Sequence, residues 1–487
     1  MSHPSEHPEF VIGLVAPVGV DLASVQNVLK DYLKQFHYEA NHIRLSSLIK
    51  KIEGLKTPIN ESTEYKRIDS LMTAGNEARE TAGRGDCVAA LGICDVCQKH
   101  INDKPLKKVA HIFDSIKHPD EVQTLRNVYG DGFYLIGIAS SMSRRLKYLN
   151  EQKGIRPKKD AENLISRDES EMFEFGQHMR EAFHLSDAFV NIDAEDYNSQ
   201  LGRILDLIFG NPWLTPTKDE YAMFIAYAAS LRSGDLSRQV GAVVTSSYDE
   251  IISTGANDVP CSGGGLYWAD NPDKDTRDYK LGCDANEKQK DEIVIKIMNK
   301  FADKGGDNNE EELLKEGKTL LKNTGIFDIT EYGRAVHAEM EAIISCARSG
   351  VSPRGGTLYA TTFPCHNCAK HIVASGISRV VFVEPYPRSL ASKLHSDSIF
   401  LANEDDVDQA DNKVKFEPFV GVGPRHFLDL FSMMLSGGRT IKRKENGNKA
   451  EWERENASIR MPMIPLHYVE RETYLAAEID DLLGGKD

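Results

Sequence analysis

The sequence predicts an α/β protein of two domains, a doubly wound parallel sheet followed by a second layered α/β domain. In the first two hundred residues apolar runs alternate with helical patterns, as is typical of a parallel sheet covered on both faces. These runs lie at 9–15, 42–49, 109–116, 133–139 and 188–192. At roughly 150 residues per domain, 487 residues correspond to about three domains, so a single minimal domain would not account for the chain.

The opening unit is a strand, a turn and a helix. After the first apolar run, apolar side chains recur at spacings of three and four, which predicts an amphipathic helix packed on the sheet. They are Leu22, Val25, Leu29, Leu33 and Phe36. Near residue 211 the two prolines of Asn-Pro-Trp-Leu-Thr-Pro-Thr interrupt the pattern. We therefore place the domains at 1–210 and 211–487.

The second domain begins with a helix, because Thr217 and Glu220 form a capping-box pattern. Its core is predicted at 217–384, interrupted by a polar insertion at 257–333 and followed by a C-terminal extension at 385–487. Within the insertion, the charged residues 301–317 predict a solvated loop and helix. The other core elements are strands at 240–246, 250–256, 357–362 and 379–383 and helices that begin at His337 and near Cys365.

Composition and charge exclude several classes of protein. The 74 acidic and 59 basic residues give a formal charge of -15, which disfavours wrapping a nucleic-acid backbone. No segment approaches the roughly 20 apolar residues that span a bilayer, and no basic leader precedes the run at 10–20. We therefore expect a cytoplasmic protein without membrane contact. Its eight cysteines are then expected to be reduced, and paired cysteines become candidate metal ligands.

The most specific motif is His337-Ala-Glu339 followed by Pro364-Cys365-His-Asn-Cys368. One imidazole and two thiolates suit zinc, and three protein ligands leave a coordination position open, as in catalytic sites. This is the H-x-E and P-C-x-x-C pattern of zinc-dependent nucleobase deaminases. Glu339 lies close to the metal without having to bind it, so we assign it the role of proton shuttle in attack on C4 of a cytosine ring. The alternative is a closed structural zinc site with His366 or His371 as a fourth ligand.

A second glycine motif, Gly13-Leu-Val-Ala-Pro-Val-Gly19, follows a strand and precedes a helix, the context of a phosphate-binding loop. It departs from G-x-x-x-x-G-K-[ST] in its spacing and in lacking the lysine and the hydroxyl. Without those groups phosphoryl transfer loses its main stabilisation, so a working kinase is not expected. Two interpretations remain open. Gly13, Gly19, Asp21 and Asp114 form a regulatory nucleotide site, or the domain is a scaffold for assembly.

From about 217 to 384 the sequence resembles the deoxycytidylate deaminase branch of the cytidine deaminase superfamily. The matching segments are SRQVGAVV at 237–244, TGAN at 254–257, HAEMEAI at 337–343 and TLYATTFPCHNCAKHIVASGISRVVFVE at 357–384. With the nucleotide-kinase-like first domain, which is P-loop-like, and the segment 384–399, the chain resembles the bacterial anti-phage dCTP deaminases. That resemblance implies a three-layer α/β/α deaminase domain, dCTP depletion by conversion to dUTP, control by a dTTP-like nucleotide and an inhibitory small RNA, and a homo-oligomer.

The resemblance also assigns roles to residues outside the metal motif. Asn257 would bond the sugar hydroxyl, and Arg238, with Arg334 as the weaker candidate, would bind phosphate through paired guanidinium donors. The alternatives are a surface salt bridge for Arg238 and a turn residue for Asn257. Cys261 and Cys283 could belong to a second, structural zinc, although the insertion itself offers no histidine ligand.

We therefore predict zinc-dependent deamination of dCTP, and of dCMP as a second substrate. The alternative within the family is a housekeeping dCMP deaminase that supplies dUMP for thymidylate synthesis. Two readings from other classes are a nucleic-acid editing deaminase, which the acidic balance disfavours, and a non-catalytic nucleotide sensor.

Overall fold

The computed structural model describes residues 8–483 except 53, 101–103, 170, 172–174, 271, 302–308, 323, 385–388, 403–411 and 436. The chain divides into two compact units. The N-terminal unit contains the chain up to Glu220 and again from Phe419 onward, and the second unit contains Tyr221–Ala402 and the segment that ends at Pro418. No helix in the described part of the chain is both long and apolar enough to cross a bilayer.

The strands and helices of the described residues follow in chain order. The strands are β1 Phe10–Val15, β2 Glu39–Arg44, β3 Val109–Asp114, β4 Phe133–Ala139, β5 Ala188–Asn191, β6 Gly241–Thr245, β7 Ile251–Ala256, β8 Thr357–Thr362, β9 Arg379–Glu384, β10 Ile399–Leu401, β11 Val414–Pro418, β12 Gly421–Val422, β13 Lys444–Glu445 and β14 Asn448–Lys449. The helices are α1 Leu22–Gln35, α2 Leu45–Leu48, α3 Glu64–Ala82, α4 Cys87–Cys97, α5 Pro119–Tyr129, α6 Met142–Lys147, α7 Lys158–Glu169, α8 Met179–Phe183, α9 Tyr197–Ile208, α10 Lys218–Ser230, α11 Asp278–Leu281, α12 Ala285–Phe301, α13 Glu310–Leu320, α14 Ala338–Ser349, α15 His366–Ser375, α16 Ala391–Leu394, α17 Phe427–Phe431 and α18 Pro465–Leu483.

The N-terminal unit is built on a sheet of order β12-β5-β4-β1-β3-β2, parallel except for β12. Strand β1 is buried on both faces because its side chains alternate between two cores. Ile12 and Leu14 belong to the core that α1 and α9 cover. Val11 and Val15 belong to the opposite core, which α4, α5 and α18 cover. The predicted doubly wound sheet is confirmed.

The first two elements show what sequence patterns predict well and less well. Helix α1 buries Val25, Leu29 and Leu33, as the spacing predicts, and Asp21 caps its first turn. The second apolar run, predicted as a strand over 42–49, is extended only to Arg44 and then turns into α2. Leu45 and Leu48 are both buried there, and a spacing of three matches a helical turn rather than the two-residue period of a strand.

The C-terminal segment differs from the prediction, which assigned 385–487 to the deaminase domain as an extension. From Phe419 onward the chain belongs to the N-terminal unit, where β12 pairs antiparallel with β5. The reason is burial of apolar side chains, since Met463, Tyr468 and Ile479 lie in the core on the α18 face of the sheet. Residues 419–487 thus complete the first domain.

A buried charged network, formed by Glu9, His100, His111, Tyr468 and Glu472, fixes α18 to that core. His100 Nε2 lies 2.9 Å from Glu9 Oε1, and its Nδ1 lies 3.1 Å from Glu472 Oε2. Glu9 also accepts a hydrogen bond of 2.6 Å from the Tyr468 hydroxyl. One imidazole therefore links the start of β1 to the C-terminal helix.

His111 shows that this network is held by hydrogen bonds rather than by a metal ion. Lys99 donates to Asn41 Oδ1 at 2.9 Å, so Asn41 turns its amide N–H toward His111 Nδ1, which lies 2.8 Å away. The ring proton of His111 is then on Nε2, which donates to Glu9 Oε2 at 2.9 Å. A protonated ring nitrogen is not a metal ligand.

The second unit is built on a sheet of order β10-β11-β9-β8-β6-β7. Strand β6 is antiparallel to β7 and β8, whereas β8, β9, β11 and β10 are parallel. Glycines permit close helix packing on both faces. A Cβ at Gly241 would meet the Ala226 carbonyl of α10 at 1.8 Å, and one at Gly255 would meet the Ala338 carbonyl of α14 at 2.1 Å. This is the predicted α/β/α arrangement.

The predicted insertion contains its own helices. Helices α12 and α13 pack through Val294, Met298 and Leu313, so this part of the insertion has a small apolar core rather than being a solvated loop. The helix expected within 301–317 is α13, while residues 302–308 of the expected loop lie outside the described residues.

Candidate metal centre and nucleotide cavity

Three side chains from two helix starts converge in the second unit. His337 is the residue before α14, Cys365 is the N-cap of α15, and Cys368 lies in the first turn of α15. His337 Nδ1 lies 3.3 Å from each of the two sulfur atoms. The ligand atoms of a tetrahedral ion with bonds of about 2.0–2.3 Å are separated by only slightly more than the distance between His337 Nδ1 and each sulfur atom. The donor set and its spacing therefore fit zinc.

The electrostatics favour thiolate at Cys365, whereas Cys368 and His337 hold protons that metal binding would release. A hydrogen bond from the Cys368 thiol, with one from His337, lowers the pKa of Cys365 to about 4. The hydrogen bond between the two cysteines also raises the pKa of Cys368 well above its ordinary value. The hydrogen bond between His337 and Cys365 raises the pKa of His337 to about 9. The deprotonated Cys365 sulfur at a helix N-terminus is the form that binds metal.

Glu339 is buried beside this centre, in the first turn of α14. It lines a cavity of about 240 Å³ together with His337, Cys365 and Phe363. Only 4% of its surface is exposed, and burial raises the pKa of its carboxyl group. A carboxyl group with a raised pKa is suited to accept and return a proton near neutral pH.

Asn257 lies at the same cavity, but its amide is already hydrogen-bonded within the protein. Its Oδ1 accepts the Val240 N–H at 2.6 Å, and its Nδ2 donates to the Arg238 carbonyl at 2.8 Å. Asp235 holds the same segment, because its Oδ1 accepts the Ser237 N–H at 2.9 Å. Asn257 therefore positions the backbone around Arg238, and one N–H remains for a ligand.

Both arginines predicted to bind phosphate line the cavity and face carboxylates. Arg238 Nη1 lies 3.3 Å from Glu384 Oε1, and Arg334 Nη1 lies 2.7 Å from Asp278 Oδ1. Arg238 is 42% exposed, so it can exchange Glu384 for a phosphate at modest cost. Six of the seven residues predicted for this site line the cavity, and the seventh, Cys368, lies beside His337 and Cys365.

Sequence reasoning missed the acidic and amide groups that complete the cavity. They are Asp284 and Asn286, which line the cavity, and Glu384, which pairs with Arg238. Glu384 ends β9 beside the end of β8, where its Oε2 accepts a hydrogen bond from Thr362. Because β8 and β9 are parallel, their carboxyl ends lie at the same edge of the sheet, and this indicates that Glu384 lies near the site. Asp284 and Asn286 lie in the insertion and carry no local pattern that predicts a site. Cys261 and Cys283 join no group of three metal donors in the described residues.

The predicted loop of the N-terminal unit is arranged differently from a phosphate-binding loop. Gly13 lies inside β1, where a Cβ would meet Ile116, Leu135 and Phe133 at 2.9 Å, so it is not part of the loop. Gly19 has φ +94° and packs against Arg145.

The two acids predicted beside that loop have other partners. Asp21 caps α1 and accepts the Tyr148 hydroxyl at 3.3 Å. Asp114, at the end of β3, accepts hydrogen bonds from Gln26 and Ser115, and burial raises its pKa.

A buried carboxylate occupies the loop instead. Asp168 Oδ2 accepts the Val18 N–H at 2.7 Å, and Asp168 Oδ1 lies 2.7 Å from Lys117 Nζ. Asp168 is fully buried. The chain therefore supplies its own anion at the position where a phosphate-binding loop would hold its ligand.

A mixed sheet with a His-Cys-Cys donor set and an adjoining buried carboxyl group defines a hydrolytic nucleobase deaminase. Residues 216–384 match the family model for the cytidine and deoxycytidylate deaminase zinc-binding region. The chain is 30% identical over 174 residues to deoxycytidylate deaminase of Enterobacteria phage T2, covering 34% of this chain and 79% of that protein. It is 26% identical over 166 residues to human deoxycytidylate deaminase, covering 34% and 63%. This protein belongs to the deoxycytidylate deaminase family.

Among solved structures, the dCMP deaminase of cyanophage S-TIM5 in complex with dCMP and dUMP is similar at 18% identity. The match covers 42% of this chain and 99% of that chain, with a TM-score of 0.23.

Proposed function

We propose that the protein is a zinc-dependent deaminase that converts dCTP, and dCMP as a second substrate, to the uracil nucleotide and ammonia. The observation that carries the proposal is the convergence of His337, Cys365 and Cys368 with Glu339 in one cavity whose lining includes Arg238 and Arg334. Those three residues would hold zinc, which would lower the pKa of water there.

The protein's own groups account for proton transfer. Deamination adds water at C4 of cytosine and expels ammonia, so protons must reach N3 and the departing amine. Glu339 is the buried carboxyl group next to His337 and can accept one proton and donate it again. Phe363 adds an apolar side chain to the lining of the cavity beside Glu339.

Phosphate recognition is proposed for Arg238 and Arg334. Asn257 and Asp235 hydrogen-bond to the backbone of Arg238, so less backbone freedom is lost when its guanidinium binds. Two guanidinium groups at one cavity support a substrate with more than one phosphate. The names of the T2 and human proteins support the second candidate, a dCMP deaminase that supplies dUMP.

A nucleotide panel separates these candidates. Purified zinc-loaded protein is incubated with dCMP, dCDP, dCTP and CTP, and uracil nucleotides are measured by chromatography. We expect dUTP from dCTP. Glu339→Gln should lose about 10²–10⁴ of the rate while retaining zinc, because proton transfer contributes that much. Formation of dUMP alone would establish the dCMP deaminase instead.

The physiological part of the proposal is depletion of dCTP in the cytoplasm to block phage DNA replication, with control by a dTTP-like nucleotide and a small RNA and with assembly as a homo-oligomer. It is supported by the two-domain resemblance described above. Phage plating on cells that express the protein should fall relative to cells that express Glu339→Gln. Equal plating, with dCTP deamination intact, would contradict the defence role.

A further inference from the structure

Arg277, in the insertion, carries a buried guanidinium group that does not itself line the nucleotide cavity. Two buried carboxylates hold it. Its Nε and Nη2 donate to the two oxygens of Asp275 at 2.9 and 2.7 Å, and its Nη1 donates to Asp258 Oδ2 at 3.3 Å. The hydrogen bonds from Arg277 hold the pKa of Asp275 well below its ordinary value, so that carboxylate is ionised. A planar guanidinium group bound to three acceptors is fixed in one orientation.

Asp258 connects this group to the loop that carries Arg238. The oxygen of Asp258 that accepts from Arg277 also accepts the Gly234 N–H, at 3.3 Å. A Cβ at Gly234 would lie 3.2 Å from Arg277 Nη1, so the loop passes directly against the guanidinium group. The next residue, Asp235, accepts the Arg238 N–H at 3.4 Å. The place of Arg238 therefore depends on a loop that Arg277 and Asp258 hold.

The neighbours of Arg277 in the chain hold the second arginine of the cavity. Arg334 Nη1 donates to the Thr276 carbonyl at 3.0 Å and to Asp278 Oδ1 at 2.7 Å. Asp275 fixes the backbone between these two acceptors, because its Oδ1 accepts the Arg277 N–H at 3.1 Å. The acceptors of Arg334 thus belong to the turn that the Arg277 side chain closes.

We propose that Arg277 is a positioning residue for phosphate recognition, which fixes Arg238 through Asp258 and Arg334 through its own turn. An arginine that is already ordered loses less conformational freedom when it binds phosphate, so Arg277 contributes to nucleotide affinity. It has no contact with the proton-transfer group, Glu339, among the described residues, so the rate of the bound nucleotide does not depend on it. The proposal rests on the proposed function, since the phosphate is that of the deaminase substrate.

Steady-state deamination of dCTP and of dCMP by the zinc-loaded full chain tests this role. In Arg277→Gln, KM should rise about tenfold while kcat changes by less than about twofold, because two loosened guanidinium groups must be ordered on binding. Arg277→Lys keeps the charge without the planar fork and should recover part of the affinity. Arg379→Gln is the matched control. It removes the ion pair between the first residue of β9 and Glu417, in the same unit, and should keep the wild-type KM.

Tyr279→Phe gives a second, milder test that does not remove a buried charge. The Tyr279 hydroxyl donates to Asp275 Oδ2 at 2.6 Å and accepts a hydrogen bond of 3.1 Å from Arg277 Nη2. The Tyr279 side chain is 42% exposed, so its substitution leaves the fold intact. We expect KM to rise about threefold in this variant, with zinc content unchanged.

The outcomes separate positioning from stability. A KM that is unchanged in both Arg277→Gln and Tyr279→Phe overturns the proposal, even if urea unfolds these variants more easily. A KM that rises as much in Arg379→Gln as in Arg277→Gln also overturns it, and so does a fall in kcat at unchanged KM.

Equilibrium dialysis of the same proteins with inorganic pyrophosphate tests Arg277 without catalysis. Arg238→Gln/Arg334→Gln defines the share of binding that belongs to the nucleotide cavity, and Arg277→Gln should weaken that share by about tenfold. Equal binding by the wild type and Arg277→Gln would overturn the positioning role. If the wild type forms no uracil nucleotide while pyrophosphate binding still depends on Arg277, the proposed function fails and the positioning role stands.

Discussion

His100 is predicted to control how firmly α18 is held, because its charge is shared by two buried carboxylates. Replacing it by Gln leaves Glu9 and Glu472 buried without the cation between them. Removing one partner of a buried ion pair costs about 3–5 kcal/mol. We therefore expect His100→Gln to loosen α18 by that order, and Glu472→Gln in the same background to recover part of it.

The pH dependence has a defined sign. Burial opposes the charge on His100, but the carboxylates of Glu472 and Glu9 outweigh it and raise its pKa from 6.5 to about 10. Because the pKa of His100 is raised in the folded state, its charge contributes its full stabilisation below pH 6.5. That contribution to the free energy of unfolding is lost as the pH rises toward 10, at about 1.4 kcal/mol per pH unit. Protection of α18 should therefore fall between pH 7 and 9 in the wild type and change little in His100→Gln/Glu472→Gln.

Hydrogen–deuterium exchange of peptides that cover 465–483, corrected for the intrinsic pH effect, measures this directly. His467→Gln is the matched control, since His467 is exposed on the same helix. If His100→Gln is as well protected as His467→Gln, or if wild-type protection is flat from pH 7 to 9, the network does not hold α18 and the reasoning is refuted.

Three further outcomes follow from the described contacts. Asn257→Ala removes two hydrogen bonds that hold residues 238–240. In kinetic assays KM for the nucleotide should rise, and in urea unfolding the second unit should lose about 1–3 kcal/mol of unfolding free energy. An unchanged KM would show that Arg238 does not depend on Asn257. Asp168→Asn leaves Lys117 without its carboxylate and should lower the melting temperature of the N-terminal unit. Asp31→Asn, at an exposed position of α1, is the control. Equal melting temperatures for the two variants would show that Asp168 does not stabilise the loop. Chelation of zinc should abolish deamination and lower the melting temperature, and Cys368→Ser should show both effects before chelation; a chelated enzyme that keeps its rate would exclude the metal centre.

The sequence predicted the parallel sheet of the N-terminal unit well, because apolar runs are a local signal. The cluster of His337, Cys365 and Cys368 joins residues up to 31 positions apart, and it was predicted from the H-x-E and P-C-x-x-C pattern. Apolar runs repeat at strand and helix periods, and ligand residues sit at helix starts. Partners that are distant in sequence carried no such signal. Asp168 meets Val18 across 150 positions, and nothing near either residue indicates the contact. The same holds for β12, two residues long, whose place is set by its pairing with β5.

The division of the N-terminal unit between two stretches of chain has a consequence during translation. Residues 221–418 leave the ribosome before Phe419, so all of the second unit is available to fold while the N-terminal unit still lacks β12 and α18. At about 5–20 residues per second, the roughly 70 residues from Phe419 onward take several seconds more. A chain that stops early would therefore contain the whole second unit and an N-terminal unit without its last helix. The apolar core that α18 covers would be exposed in such a chain, and proteases of the cell would distinguish it from the finished protein.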